Sequence, residues 1–209
     1  STRVGGFGGV VGLVDYLRGG THLLGNSPID LLIDATHPFA AQISWHAATA
    51  VAEVGIPHLI LIRPAWEQTK GDRWIEVVNM EAAADALSGL AQRVFLAIGK
   101  QELATFAHVR DIWCLMRSID PPQPNVPLPQ GKVLLSRGPF ALADERSLLM
   151  QYEIGAIVTK NSGGDATYAK IVAARELKIP VVMVQRPSMP AGEQVETIEQ
   201  VLSWLLSYL

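Results

Sequence analysis

The chain has 209 residues, of which 49% are apolar and 18% are charged, so it is not a disordered protein and has room for one domain or two small ones. Its net charge of −3 lacks the basic excess of generic nucleic-acid binders, and its single cysteine, Cys114, excludes an intrachain disulfide. No apolar run approaches the roughly 18 residues of a membrane-spanning helix, and no histidine spacing indicates a metal site. We therefore expect a protein of a reducing, cytoplasmic compartment.

The chain opens on a glycine-rich segment, TRVGGFGG at residues 2–9, followed by a helical pattern over residues 10–17. Such a loop normally follows a strand, so we expect a preceding βα unit to be missing; a processed or tagged N-terminus is the alternative. Glycines before a helix let backbone N–H groups approach an anion. Arg3 would add a cation, and Phe7 could either cover a flat ligand or anchor the core.

Apolar runs of strand length alternate with helical periods from residue 29 onward. In the first part of the chain we predict strands at residues 29–35, 59–63 and 74–78 and helices at residues 37–54 and 80–90. Pro38 would lie in the first turn of the earlier helix, where its missing N–H costs little, and Gly55 would end that helix.

The alternation continues to the C-terminus. Residues 120–130 contain five prolines and are expected to form an extended crossing between strands. The remaining elements are predicted strands at residues 94–99, 112–116, 133–136, 156–160 and 181–185 and helices at residues 101–107, 142–152, 165–177 and 196–209.

Strands that are apolar on both faces and separated by helices predict an α/β fold with parallel sheets covered on both sides. Because the strand–turn–helix unit starts afresh near Val94, we predict two Rossmann-like halves, residues 1–92 and 93–209. The first half would lack its starting βα unit. A single larger doubly wound sheet is the alternative.

Ligands of such sheets bind at the carboxyl ends of the strands, and those ends carry polar, small or turn-forming residues here. Five cations follow predicted strands directly: Arg63, Lys100, Arg137, Lys160 and Arg186. Cations that share one edge of a sheet predict an anionic ligand with several phosphates or carboxylates.

One strand end has a more specific pattern, TKNSGG at residues 159–164, which precedes the predicted helix at residues 165–177. Its two glycines would open a helix N-terminus to an anion, and Lys160 and Ser162 could add hydrogen bonds. Ser162 could instead simply cap the helix. Lys170, further along, is expected to be a solvated helix residue.

Other polar and aromatic residues have more modest expectations. His37 could donate a proton, but a binding or orienting role is favoured, and Asp34 is expected to tether loop backbone. Trp66 would pack in the core or line a pocket. No nucleophile elbow or Ser–His–Asp order is present.

The motifs RVGGFGG, DATHPFA, RPAW, SRGPF and TKNSGG, followed by AARELKIPVVMVQRP, occur in this order over residues 3–187. In combination they resemble the precorrin-6A reductases of cobalamin biosynthesis, a family with a cobalt-precorrin-6A branch. Members of that family begin with a strand and a glycine-rich turn, and this βα unit is absent here.

The resemblance implies a two-domain α/β reductase that transfers hydride from NADPH to the precorrin-6A macrocycle, giving precorrin-6B. Its partners would be the tetrapyrrole alone, with no nucleic acid, membrane or metal, and a monomer is plausible. Whether the substrate contains cobalt stays open, as does the proton donor, for which His37, Lys160 and water are candidates.

We expect no catalytic side chain, with water supplying the proton. The residues expected to bind the cofactor are Gly99, Lys100, Gln101, Lys160, Asn161, Ser162, Gly163 and Gly164. The residues expected to bind the substrate are Arg3, Gly5, Gly6, Phe7, His37, Arg63 and Arg137. A nucleotide-dependent α/β transferase and a non-catalytic, two-lobed anion-binding module are the alternatives.

Overall fold

A computed structural model describes residues 4–19 and 27–208. It has parallel sheets flanked by helices, so the predicted α/β class is confirmed. The described elements are, in chain order, α1 (Gly9–Leu17), β1 (Leu32–Asp34), α2 (Ala41–Val54), β2 (His58–Leu61), β3 (Trp74–Val77), α3 (Met80–Asp85), β4 (Arg93–Ala97), a 3-10 helix (Lys100–Phe106), β5 (Trp113–Ser118), β6 (Gly131–Leu135), α4 (Leu142–Gln151), β7 (Ala156–Lys160), α5 (Ala169–Glu176), β8 (Val181–Val184), β9 (Glu193–Val195) and α6 (Ile198–Leu206).

The chain forms two compact units. Unit 1 comprises Ser1–Pro64 and Pro187–Leu209, and unit 2 comprises Ala65–Arg186. This division differs from the predicted boundary between residues 92 and 93. The reason is strand pairing, which links segments far apart in the chain: β3 pairs with β8, and β9 pairs with β2.

Unit 1 contains a three-stranded parallel sheet in the order β1-β2-β9. Leu59 of β2 is buried against Val201 and Trp204 of α6, which is amphipathic and begins with a capping box formed by Thr197 and Gln200. A second cluster joins α1 to α2. Apolar burial at these contacts holds the short strands in place.

Unit 2 contains a six-stranded parallel sheet in the order β3-β8-β7-β4-β5-β6. The central strands β4, β7 and β8 are buried almost throughout. This burial accounts for their continuous apolar sequence, since helices or loops cover both faces of a parallel sheet.

Two predicted helices begin later than expected. The helix predicted from residue 37 begins at Ala41, so Pro38 lies in a turn before it, while Gly55 ends the helix as predicted, in the left-handed conformation with φ 79°. The helix predicted from residue 165 begins at Ala169, and the residues before it form a turn whose Gly164 and Ala166 carbonyls accept from the Trp66 indole and the Phe140 N–H. Within the described ranges, none of the helices has both the length and the apolar character needed to cross a membrane.

Candidate functional site

The strand order of unit 2 creates a switch point between β4 and β7. From β4 the chain proceeds outward through β5 to β6, and it then returns to the other side of β4 to form β7 and β8. In open parallel sheets, ligands bind at the carboxyl ends of the strands where the direction reverses. A ligand site is therefore expected at the carboxyl ends of β4 and β7.

A cleft of about 230 Å³ lies at this place, where the ends of β4, β5 and β7 meet. Four of the predicted cofactor-binding residues line it together, and three further residues come from the end of β5. The lining residues are Ile98, Gly99, Lys100, Gln101, Ser118, Ile119, Asp120 and Lys160. Ligand pockets usually measure about 300–1,000 Å³, so the cleft has room for part of a dinucleotide.

Gly99 shapes the floor of the cleft through its backbone. Its φ of 88° and ψ of 161° lie in a region that is essentially restricted to glycine. A Cβ atom at this position would meet nothing within 4 Å, so the requirement for glycine comes from the backbone and not from crowding.

The cleft lysines are paired with carboxylates. Lys160 Nζ lies 3.0 Å from Glu102 Oε1, and Lys100 Nζ lies 3.4 Å from Asp120 Oδ2. Both lysines thus have a carboxylate beside them, a pairing that the cations predicted at the strand ends did not indicate. Carboxylates beside lysines can accept hydrogen bonds from hydroxyl groups while the lysines contact anions.

The segment that follows β7, residues 161–168, forms a turn built around Trp66; we call it the 161–168 turn. The Trp66 backbone N–H donates to Asn161 Oδ1 over 2.8 Å, and Asn161 Nδ2 donates to the Trp66 carbonyl over 3.0 Å. The Trp66 indole Nε1 donates to the carbonyl of Gly164 over 2.8 Å. Both ends of the Asn161 amide are thus engaged in holding the turn, and its cofactor contact stays a prediction.

Other carbonyl groups of the turn also accept hydrogen bonds from residues of unit 2. Arg186 donates to the carbonyls of Asn161 and Ser162, and Lys170 Nζ donates to the carbonyl of Thr167 over 2.7 Å. The backbone N–H of Phe140 donates to the carbonyl of Ala166. The turn is therefore fixed by donors from four separate segments of unit 2.

The N–H groups of the same turn are arranged differently. Those of residues 163–167 make no hydrogen bond to any part of the chain that the structure describes. Gly163, with φ 69°, is buried, and Gly164 has φ 73°. Successive N–H groups without acceptors, next to glycines in the left-handed region, form the kind of concavity that binds anions.

A buried charged cluster lies beneath the turn. Lys170 is only 4% exposed and its Nζ lies 4.6 Å from the centre of the Trp66 ring, so the expectation of a solvated Lys170 was wrong. Arg117 forms a bidentate ion pair with Glu145, with N–O distances of 2.6 and 3.0 Å. Burial lowers the pKa of Lys170 to about 7, the charge of Glu145 opposes this shift, and that of Arg117 reinforces it.

In unit 1, the predicted residues Gly5, Gly6 and Phe7 precede α1. The Phe7 ring packs edge-on against Tyr16, at 5.1 Å between ring centres, and joins the α1–α2 cluster. Phe7 thus contributes to core packing in unit 1, and its contact with the substrate stays a prediction. A Cβ atom on Gly12 would lie 1.8 Å from the Phe7 carbonyl oxygen, so this close approach requires glycine.

The segment of residues 34–40, which we call the 34–40 loop, is held by short-range hydrogen bonds. Asp34, 6% exposed, accepts from the Thr36 N–H through Oδ1, as expected of a tether, while its buried Oδ2 has no partner among the residues that the structure describes. The Phe39 N–H donates to His37 Nδ1 over 3.1 Å. Because Nδ1 accepts, a neutral His37 carries its proton on Nε2. His58 lies in β2, beside the strand that ends at Asp34. Burial lowers the pKa of His58, and the negative charge of Asp34 opposes this shift.

The other predicted substrate residues have different surroundings. Arg63 is exposed after β2 in unit 1, and Arg137 is exposed after β6, the edge strand of unit 2. Arg137 makes no hydrogen bond or ion pair within residues 4–19 and 27–208. Arg3 lies outside the described residues.

Sequence reasoning missed Asp120 and the supporting roles of Trp66, Lys170 and Glu145. A signal for Asp120 was available, because it follows a predicted strand, but the five prolines around it suggested only a crossing. For Lys170 and Glu145 no local signal existed, since both lie on helices with weak apolar periodicity and their burial depends on packing.

Comparison with known proteins places this architecture in one family. The family model of precorrin-6x reductase CbiJ/CobK matches residues 1–206. The precorrin-6A reductase of Rhodococcus erythropolis is 45% identical over 204 residues, covering 97% of this chain and 79% of the relative. That of Rhodobacter capsulatus is 43% identical over 207 residues, covering 99% and 80%. A solved structure of CobK precorrin-6A reductase superposes with a TM-score of 0.90 at 43% identity, covering 99% of this chain and 82% of the other.

Proposed function

The chain belongs to the precorrin-6x reductase family, and on that premise we propose that it reduces precorrin-6A to precorrin-6B with NADPH as the hydride donor. The relatives at 43–45% identity bear the name precorrin-6A reductase without cobalt, which supports the metal-free macrocycle as substrate. The observation that carries the cofactor proposal is the cleft at the switch point of unit 2 together with the adjoining turn.

The 161–168 turn fits a phosphate-bearing cofactor. Its carbonyl groups accept hydrogen bonds from Trp66, Arg186 and Lys170. The N–H groups of residues 163–167, in contrast, have no acceptor among the described parts of the chain. This one-sided arrangement supports binding of phosphate oxygens, because backbone N–H groups and a nearby lysine both attract negative charge. Lys160 is that lysine, and it lines the cleft.

When bound, NADPH supplies the hydride, and the protein contributes binding, orientation and exclusion of water. We assign the pyrophosphate, which NADPH shares with NADH, to the 161–168 turn and to the backbone of residues 99–101, which line the cleft. The Gly99 backbone leaves its Cβ position open, with no atom of residues 4–19 or 27–208 within 4 Å of it. These contacts would hold the cofactor at the carboxyl ends of β4 and β7.

The proposed binding of the substrate depends on opposite charges on the protein and the macrocycle. A tetrapyrrole with several carboxylate arms is a polyanion, and the exposed guanidinium groups of Arg63 and Arg137 are suited to bidentate contacts with carboxylates. Arg137 makes no ion pair within the described ranges, so no intramolecular contact would have to be broken. Gly5, Gly6, Phe7 and His37 remain proposed substrate contacts in unit 1.

The net reaction takes up one hydride and one proton. His37 accepts from the Phe39 N–H through Nδ1, an arrangement that supports a neutral ring with Nε2–H as a hydrogen-bond donor. A neutral imidazole that is already oriented in this way is suited to binding and is a poor acid. We therefore assign the proton to water.

The cofactor placement can be tested at Gly163. Gly163→Val places a branched side chain at φ 69° within the run of free N–H groups. We expect the KM for NADPH to rise by about tenfold, because the left-handed conformation costs about 1–2 kcal/mol for a side chain and the turn must change shape. The assay follows NADPH oxidation with precorrin-6A.

Gly89→Val is the matched control, since Gly89 has a similar φ of 71° in an exposed turn after α3 with open space around its Cβ position. An unchanged KM in both variants would rule out this placement. No NADPH oxidation by the parent protein would contradict the reductase function itself, and would favour the transferase or the binding module.

A further inference from the structure

We propose that Lys100 and Asp120 together bind the adenosine ribose of the dinucleotide, and that Lys100 selects the 2′-phosphate of NADPH over the 2′-hydroxyl of NADH. This inference rests on the proposed function, because it assumes that the cleft binds a nicotinamide dinucleotide. It adds a residue, Asp120, and a role in cofactor choice.

The position of Asp120 in the sheet supports the assignment. In dinucleotide-binding sheets the strand beside the switch point is followed by the phosphate turn, and the next strand outward ends near the ribose. Here β4 is followed by Gly99 and Lys100, and β5 is the next strand outward. Asp120 follows the end of β5, 20 residues after Lys100, close to the spacing of about 20 residues typical of a ribose-binding carboxylate.

The local geometry presents the two side chains to the cleft. The buried hydroxyl of Ser118 donates to the Asp120 carbonyl over 2.5 Å, which fixes the backbone where the carboxylate emerges. The side chains of Lys100 and Asp120 remain 40% and 63% exposed. Both line the cleft, so a ligand there would meet an ammonium and a carboxylate side by side.

The pair is weak enough to open. At 3.4 Å between Nζ and Oδ2, and with both groups solvated, the ion pair contributes little to stability. Lys100 can therefore exchange the carboxylate for a phosphate at small cost, and a charge-assisted hydrogen bond to phosphate is the stronger contact. Asp120 would then accept a hydrogen bond from a remaining ribose hydroxyl. Its negative charge repels the 2′-phosphate and so reduces the gain in affinity that Lys100 provides.

The test compares the binding of NADP⁺ and NAD⁺ by calorimetry, without the macrocycle. We expect Lys100→Gln to raise the Kd for NADP⁺ by about 10- to 100-fold, which corresponds to the loss of one charged hydrogen bond, and the Kd for NAD⁺ by less than about threefold. Asp120→Asn should shift the preference the other way, with tighter binding of NADP⁺ and weaker binding of NAD⁺.

Lys70→Gln is the control, because Lys70 is an exposed lysine of unit 2 that does not line the cleft, and it should change neither Kd. Thermal unfolding verifies that each variant is folded. Equal losses for NADP⁺ and NAD⁺ in Lys100→Gln, or an unchanged ratio in Asp120→Asn, would overturn the proposal while leaving the reductase function intact. A parent protein that binds neither dinucleotide would overturn both.

Discussion

The 161–168 turn and the 34–40 loop occupy comparable places in their units, yet they are held in different ways. Each follows a parallel strand, β7 or β1, and each precedes a helix, α5 or α2. The 161–168 turn depends on donors up to 98 positions away in the chain, such as the Trp66 indole. In the 34–40 loop, Asp34 accepts from the Thr36 N–H and His37 accepts from the Phe39 N–H, contacts that span two residues each.

This contrast determines how each region should respond to substitution. A turn held by distant side chains should lose its shape when one support is removed, because no local contact replaces it. A loop held by its own backbone and nearest neighbours should tolerate changes at its tip. Substitutions at three positions test the difference, beginning with the largest expected effect.

Trp66→Leu should have the largest effect. It removes the donor to the Gly164 carbonyl and the ring that packs against Tyr168 and Lys170, and Trp66 is buried. We expect the free energy of unfolding to fall by about 3–5 kcal/mol, as for other buried large-to-small changes. Urea unfolding measures this loss, and calorimetry should show weaker binding of NADP⁺.

Trp66→Phe separates the two contributions, because it keeps a ring and removes only the indole donor. Leaving the Gly164 carbonyl without a partner should cost about 1–3 kcal/mol. A Trp66→Leu protein that remains folded and binds NADP⁺ as tightly as the parent would show that the turn does not need this support.

Lys170→Met should have an effect that depends on pH. The folded-state pKa of Lys170 is about 7, whereas an exposed lysine titrates near 10.4. Between these values the unfolded chain binds the proton and the folded protein does not, so the stability of the parent rises with pH over this range. Below about pH 7 both states are protonated and this contribution stays constant.

From pH 7 to pH 10 the parent should therefore gain up to about 4 kcal/mol relative to Lys170→Met. Urea unfolding at several pH values gives the difference, and Lys70→Met, at an exposed position, should show none. A difference between parent and Lys170→Met that is flat with pH would contradict the assignment of a neutral buried amine.

His37→Gln should have the smallest effect. Glutamine keeps a hydrogen-bond donor and the local turn, but it cannot act as an acid. We expect single-turnover NADPH oxidation to fall by less than about tenfold, well below the 10²–10⁴-fold contributed by a general acid. A loss in that higher range with unchanged substrate binding would identify His37 as the proton donor.

The sequence was most informative where structure depends on neighbours in the chain. Gly55 ended a helix as predicted, Asp34 tethers its loop, and Gly99 opens a turn at the end of β4. It was least informative where distant segments meet. The pairing of β3 with β8 moved the unit boundary away from residue 92, and the packing of Trp66 over Lys170 buried a side chain that was expected in solvent.

β9 shows the same limit. Only Val195 of its three residues is apolar, so nothing in the pattern marks a strand, and its position follows from pairing with β2. The candidate cleft could be anticipated at Gly99, Lys100, Gln101 and Lys160 because strand ends converge. The contribution of Asp120 depended on the order of the strands, which one sequence does not reveal.

The division of unit 1 into two stretches of chain has a consequence for synthesis on the ribosome. All of Ala65–Arg186 emerges as one continuous segment, so unit 2 can complete its sheet as soon as β8 has been made. Unit 1 begins earlier but finishes later, because β2 gains its second neighbour only with β9, and Leu59 is covered only when Val201 and Trp204 of α6 appear. The part of the protein that is translated first is therefore the part that matures last, and until then one edge of β2 lacks the strand that covers it in the finished fold.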